Sequence, residues 1–227
     1  MNSSVITWPG SNCDRDMDVA LKKFGFKNKM VWHDDVELPK SDLVDLPEGF
    51  SYGDYLRCGS MASKSKIMQS VFNFAKGGGK VMGICNGFQI LVESGLLPGV
   101  LLRNKYLEFI CKNVYVTINN KENIFFKNFK KDILKLHIAH NEGNYFCSED
   151  QMKEIKDNNQ IALYYSDVDG IVDEKNNPNG SSENIAGIFN KEMNVVGMLP
   201  HPERMIDTAL SGEDGSIFFK SLINNLK

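Results

Sequence analysis

The sequence predicts an α/β fold: a mainly parallel sheet flanked by helices, with a mixed or antiparallel extension. Three observations predict it. Short apolar runs alternate with amphipathic helical segments through the first 91 residues, the order that builds a parallel sheet covered on both faces. One of those runs, Val81-Met82-Gly83-Ile84, ends at Cys85-Asn86-Gly87 and passes directly into a helical pattern. Farther on, the periodicity changes from helical to strictly alternating, as in Val114, Val116 and Ile118, the pattern of half-buried strands.

In chain order, residues 5–8 form a short apolar strand closed by Pro9-Gly10. Asp14 can cap a helix that runs to Phe24 and stops at Gly25. Residues 29–32 give a second strand and 42–46 a third, ended by Pro47. Residues 61–76 read as a helix with Ile67, Val71, Phe74 and Ala75 on one face, terminated by Gly77-Gly78-Gly79. The strand 81–84 then leads into Cys85. Later strands fall at 113–118, 135–139, 161–166, 185–189 and 195–199, with a polar, turn-rich loop at 176–182. A last helix at 215–226 would bury Phe218, Leu222 and Leu226.

No repeat and no linker interrupts the 227 residues, so one domain over 1–227 is expected. An apolar share of 42% supports a real core, and a net charge of −3 gives no general pull toward nucleic acid. Five scattered cysteines without a C-x-x-C pair argue against a disulfide framework and for a reducing, cytoplasmic setting. No signal-peptide pattern opens the chain, and no apolar run approaches the ~20 residues of a membrane helix.

The chemistry centres on Cys85. Glycines two residues before and two after it, Gly83 and Gly87, permit a sharp strand-to-helix turn that pushes one side chain out of the sheet. The free N–H groups of the new helix, Asn86 first among them, favour a thiolate and are expected to lower its pKa. A base is offered by Leu199-Pro200-His201-Pro202-Glu203, where a strand again runs into a loop. Glu203 can orient one imidazole nitrogen and leave the other to take the thiol proton. Gln89, one helical turn after Cys85, reaches the same face. His33, His137 and His140 compete with His201; His33 follows a strand, and His137 alternates with Leu136 and Ile138 and so points to one sheet face. Cys111 and Cys147 read as ordinary buried thiols, and Cys13 and Cys58 are assigned no chemistry. The Cys and His spacings match no common zinc site, so no metal site is expected. No G-x-x-x-x-G-K-[ST] is present, so a nucleotide phosphate would bind elsewhere.

Gly83-Ile84-Cys85-Asn86-Gly87-Phe88-Gln89 with Pro200-His201-Pro202-Glu203 resembles the class I, triad-type glutamine amidotransferases. An ordered series narrows the resemblance to glutaminase subunits of phosphoribosylformylglycinamidine synthase. It comprises Trp8-Pro9-Gly10-Ser11-Asn12-Cys13-Asp14, Val31-Trp32-His33-Asp34 and the stretch from Gly49-Phe50-Ser51-Tyr52-Gly53-Asp54-Tyr55-Leu56-Arg57 to Gly59. It continues with Gly95-Leu96-Leu97-Pro98-Gly99, Phe109-Ile110-Cys111 and Ala139-His140-Asn141-Glu142-Gly143-Asn144-Tyr145. The resemblance implies a flavodoxin-like sheet, with Cys85 as nucleophile, His201 as base and Glu203 as its orienting carboxylate. It implies an oxyanion hole from Gly49 and Asn86 and glutamine contacts from Gln89 and His140; Arg57, by its place in Asp54-Tyr55-Leu56-Arg57, reads as an organiser of the active-site loop through charge-assisted hydrogen bonds. It also implies no cofactor in this chain, ATP and Mg in a large partner synthetase subunit, and a small accessory subunit.

Two departures sit beside the site. Asp45 stands where an apolar strand residue is usual, and buried without a partner it would take up a proton or cost stability. Glu48 stands where a glycine is usual; a positive φ there would strain it, and a carboxylate facing the oxyanion would repel it, unless it points to solvent. Asn141 also replaces a usual glycine, and asparagine tolerates a left-handed backbone better than most residues. The rival readings are a synthetase-binding subunit disabled by Asp45 and Glu48, and a stand-alone thiol hydrolase of the same fold.

Overall fold

Parallel strands buried on both faces need near-continuous apolar runs, whereas a half-exposed antiparallel ribbon needs alternation. Both patterns are built into one sheet. The computed structural model describes residues 1–55, 57–210 and 212–227, and of Leu210 the backbone alone; Leu56, part of the quoted loop motif, lies outside the described residues.

In chain order the elements are β1 (Asn2–Thr7), α1 (Asp14–Lys23), β2 (Lys27–Trp32), β3 (Leu43–Leu46), α2 (Ile67–Lys76), β4 (Lys80–Ile84) and α3 (Asn86–Glu93). They continue with β5 (Val100–Leu102), β6 (Ile110–Ile118), β7 (Ile133–His140), β8 (Asn144–Phe146) and α4 (Glu149–Asp157). The last are β9 (Ile161–Ser166), β10 (Ile185–Phe189), β11 (Val195–Met198) and α5 (Asp214–Leu226). One nine-stranded sheet runs β2-β1-β3-β4-β11-β10-β9-β6-β7. Every pairing from β2 to β11 is parallel and every pairing from β11 to β7 is antiparallel. The expected α/β sheet with an antiparallel extension is therefore present.

Burial explains the split. All residues of β3 and β11 are buried, as are Val81 to Ile84 of β4. In β7 exposure alternates instead, with Leu134, Leu136 and Ile138 buried on one face. Polar residues are tolerated in β1 because their hydroxyls find partners. Ser3 Oγ donates to Asn28 Oδ1 at 2.9 Å, and Ser4 Oγ lies 2.8 Å from Ser41 Oγ.

Some expectations shift. The helix expected at 61–76 is broken: a short 3-10 turn covers Ala62–Lys64 and α2 begins only at Ile67. Ser65 is extended between them at ψ 157°. Its hydroxyl donates to Ala62 O and accepts from Trp8 Nε1, a side-chain alternative to the helical ladder. Asp14 lies inside the first turn of α1 and does not cap it; Cys13 holds the cap position without a side-chain bond. Three elements, β5, β8 and α4, lie outside the strands and helices expected from the sequence. The last carries a legible signal, since Ser148 and Gln151 form a reciprocal capping box. Among the described residues no helix is long and apolar enough to cross a membrane.

Candidate active site

Three adjacent parallel strands deliver the site. In register, Leu46 of β3 lies beside Gly83 of β4, and Ile84 of β4 lies beside Met198 of β11. The chain leaves all three strands at their carboxyl ends, where open parallel sheets form a crevice. Glu48-Gly49 follows β3, Cys85 follows β4, and His201 follows β11.

Cys85 has φ 48° and ψ −100°, a conformation that costs energy for a residue with a Cβ. It is held by Cys85 N–H donating to Met198 O at 2.8 Å and by Gln89 N–H donating to Cys85 O at 3.0 Å. The neighbouring glycine is obligatory: a Cβ on Gly87 would lie 1.8 Å from Leu46 O. Cys85 is nonetheless buried, with Sγ 3.7 Å from Ala139 O. The lowered thiol pKa expected from the helix start is not what results. Burial, followed by the charges of Glu48 and Glu203, pushes the thiol well above its ordinary value, and the Asn86 N–H only partly opposes them. In the free chain Cys85 is a neutral thiol.

His201 is fully buried. Its N–H donates to His137 O at 2.8 Å, which ties the end of β11 to β7. Its Nδ1 lies 3.2 Å from Glu203 Oε1, close enough for an ion pair but without the alignment of a hydrogen bond. The His137 ring stands edge-on to the His201 ring at 6.2 Å. The alternation at His137 places it on a sheet face without showing that the face meets His201.

Between these elements lies a cavity of about 30 Å³ lined by Glu48, Gly49, Asp54, Cys85, Gln89 and His140, among others. It brings the expected oxyanion glycine, the expected nucleophile and both expected substrate contacts together. Its volume matches one water molecule, so a glutamine enters only when a wall moves. Gln89 Nε2 donates to Glu142 O at 2.8 Å and Gln89 Oε1 accepts from Asn86 Nδ2 at 2.7 Å, while Asn86 Oδ1 accepts from Ser51 N–H at 3.2 Å. Both polar ends of Gln89 are thus already bonded in the free chain. His140 Nδ1 pairs with Asn104 Oδ1 at 3.1 Å, and burial holds this imidazole down at about 3.

The departures resolve individually. Asp45 is fully buried, no donor reaches either of its oxygens among the described residues, and burial followed by the Glu203 charge raises its carboxyl well above the usual range. Glu48 neither points to solvent nor has a left-handed backbone: it is 4% exposed and absent from the positive-φ residues. Cys13 N–H donates to the Glu48 backbone O at 3.3 Å, and burial raises the Glu48 carboxyl above its ordinary range. Strain falls instead farther along the loop, at Tyr52 (φ 55°) and Asp54 (φ 52°). His33 Nδ1 lies 2.8 Å from Tyr52 Oη and so braces that loop. Asn141 does not use the left-handed region either. Arg57 pairs with Glu93 at the end of α3, and so pins the loop to the elbow helix from outside. Sequence reasoning missed Asn104, whose setting between Arg103 and Lys105 carries no signal. It also missed the buried Cys13–Glu48 contact, because the two residues lie on separate strand-end loops.

The comparisons with known proteins agree with this geometry. The CobB/CobQ-like glutamine amidotransferase domain family matches residues 1–212. The phosphoribosylformylglycinamidine synthase subunit PurQ of Pelagibacter ubique (strain HTCC1062) is 82% identical over 227 residues, covering 100% of both chains. A chain in the structure of PurLQS from Thermotoga maritima is 41% identical and superposes with a TM-score of 0.88 over 100% of this chain and 99% of that one. A glutamine amidotransferase of Thermotoga maritima shares the fold at 15% identity, with a TM-score of 0.65 over 100% and 98% of the two chains. On the family match and the 82% identity together, this chain belongs to the CobB/CobQ-like glutamine amidotransferases.

Proposed function

We propose that the chain is the glutaminase subunit of a phosphoribosylformylglycinamidine synthase, supplying ammonia for the ATP-dependent amidation of formylglycinamide ribonucleotide in purine biosynthesis. The observation that carries the chemistry is the delivery of Cys85 and His201 from the ends of adjacent parallel strands, with Glu203 3.2 Å from the imidazole. The 82% identical PurQ and the 41% identical chain of PurLQS carry the assignment of acceptor and partner.

In this reading Cys85 attacks the side-chain amide carbon of glutamine as His201 takes the thiol proton. The Asn86 N–H, already directed at the thiol, and the Gly49 N–H stabilise the oxyanion. His201 returns the proton to the departing nitrogen, leaving a glutamyl thioester, and then activates the water that hydrolyses it. Glu203 orients the imidazole and stabilises its charged form. Gln89 and His140 contact glutamine once the cavity opens. The chain acts as one domain over 1–227 in the cytoplasm, in keeping with its free cysteines. ATP and Mg bind in the large synthetase subunit, and a small subunit completes the assembly. The high thiol pKa and the small cavity favour a free chain at rest, with opening coupled to assembly.

The test is ammonia release from glutamine by the chain alone, then with the synthetase, ATP and formylglycinamide ribonucleotide. A strong rise with the partner is expected. Complex formation without any release would instead support a disabled binding subunit.

A further inference from the structure

The cavity beside Cys85 is walled by polar side-chain atoms without partners. Among the described residues no donor reaches Glu48 Oε2, Asp54 Oδ1 or His140 Nε2, and all three residues line the cavity. Glu48 and His140 are 4% and 3% exposed, so solvent does not serve them. The state of His140 follows from its neighbours. Asn104 Nδ2 donates to the carbonyls of Glu108 and His140, which fixes the amide orientation. Asn104 Oδ1 also takes the Gly143 N–H and can only accept. His140 therefore carries its proton on Nδ1 and presents the bare lone pair of Nε2. Polar atoms left unpaired at this depth are costly; a ligand that relieves Asp54 and His140 must bring donors, and one that meets the protonated Glu48 carboxyl must be able to take its proton.

The ligand must also be very small. A volume of about 30 Å³ holds one molecule the size of water. Ammonia matches water in size, and as ammonium it carries four donors and the charge that Glu48 and Asp54 complement. We propose that this cavity is a holding site for the ammonia released from glutamine, bound as ammonium by Glu48, Asp54 and His140. This inference rests on the glutaminase reading. The proton balance is internal. His201 has already supplied the proton with which the nitrogen leaves as NH3. The buried Glu48 carboxyl, raised above the ordinary range, gives its proton to NH3 and becomes the carboxylate partner of NH4+. Return of that proton to Glu48 frees neutral NH3 for transfer. Burial likewise raises Asp54 to about 6, and a bound cation would bring it back down.

The test needs no turnover. The full chain is unfolded thermally in ammonium, potassium or methylammonium chloride at equal ionic strength. Potassium nearly matches ammonium in size but donates no hydrogen bond; methylammonium donates but is too large. Ammonium is expected to raise Tm by about 2–4 °C over potassium near saturation, with methylammonium matching potassium. The ammonium excess is expected to vanish in Glu48→Gln and to fall in Asp54→Asn. Each variant is compared with itself in potassium, so a change in its basal stability cancels, and Asp54→Asn keeps the test open if Glu48→Gln does not fold. Equal shifts from ammonium and potassium, or an excess that survives in both variants, would overturn the proposal. So would methylammonium matching ammonium, which would point to the amino group of the substrate instead. Failure here with ammonia release intact removes only the holding site, whereas failure of ammonia release removes the glutaminase reading.

Discussion

The two halves of the sheet make the site in different ways. The parallel half, β2 to β11, fixes backbone: its strand ends place Cys85, Gly49 and His201 through main-chain register and an elbow with no spare volume. The antiparallel half contributes side chains and loops: His137 O, which accepts from the His201 N–H, and Ala139, His140 and Glu142 as one wall of the cavity. The difference teaches where rigidity is needed. The proposed nucleophile and base require fixed geometry, whereas a wall proposed to open for glutamine is better built from side-chain hydrogen bonds that can be exchanged.

The largest expected effect tests whether the chemistry belongs to the parallel half alone. In the assembled enzyme, Cys85→Ala should reduce glutamine-dependent amidation by about 10⁴-fold or more and leave amidation driven by added ammonium salt intact. Loss of both activities would mean that the elbow also holds the assembly together.

A pair of glycine substitutions sharpens the comparison. A Cβ at residue 87 meets backbone, Leu46 O at 1.8 Å, whereas a Cβ at residue 143 meets the His140 ring, with Cε1 at 2.3 Å. Gly87→Ala should cost about 3 kcal/mol or more, because two main chains must separate. Gly143→Ala should cost about 1–2 kcal/mol while lowering kcat/KM for glutamine, because a ring can turn away. Urea unfolding reads the first quantity and steady-state ammonia release the second. Equal stability losses would erase the proposed division between rigid backbone and adjustable wall.

What the sequence revealed follows the same division. Strands buried on both faces appear as apolar runs, so β3, β4 and β11 were legible, and with them Cys85, His201 and Glu203 as strand-end residues. The beginning of β1 was not, because Ser3 and Ser4 look like loop residues until Asn28 and Ser41 satisfy their hydroxyls. The antiparallel strands were legible by alternation, but their contribution to the site was not. Asn104 is an unremarked polar residue until folding places its amide against His140 and Gly143. Glu48 is placed beside Cys13 by a backbone hydrogen bond between two loops that no local pattern encodes. Charge worked both ways: Asp45 was visible as a misfit, but the net effect of the surrounding carboxylates on the thiol required their burial to be known.

Asp45 asks how much misfit the rigid half tolerates. Its carboxyl is neutral when folded, and its folded pKa lies above the unfolded value of about 3.9. Its stability contribution is therefore complete below that value and is lost as pH rises through the folded pKa. Asp45→Val should stabilise the chain by about 1–3 kcal/mol at neutral pH and flatten the decline in the urea midpoint between about pH 5 and about pH 8. Some slope should remain from Glu48 and from Asp54, whose carboxyl is raised to about 6. An unchanged pH dependence would show that Asp45 is relieved by a partner group after all.

The smallest effect is expected at α4, outside the antiparallel half's contribution to the site. Ser148 Oγ accepts from Gln151 N–H at 3.3 Å, and Gln151 Oε1 accepts from Ser148 N–H at 3.3 Å. Ile155 is the one fully buried residue of the helix. Ser148→Ala removes the cap and should cost about 1 kcal/mol, a fall in Tm of about 2–4 °C for a chain of this size. Glutamine hydrolysis in the complex should be unchanged, because no residue of α4 lines the cavity. A loss of activity beyond the loss of folded protein would extend the adjustable wall outward through Asn144–Phe146 and show that the antiparallel half positions the site as a unit.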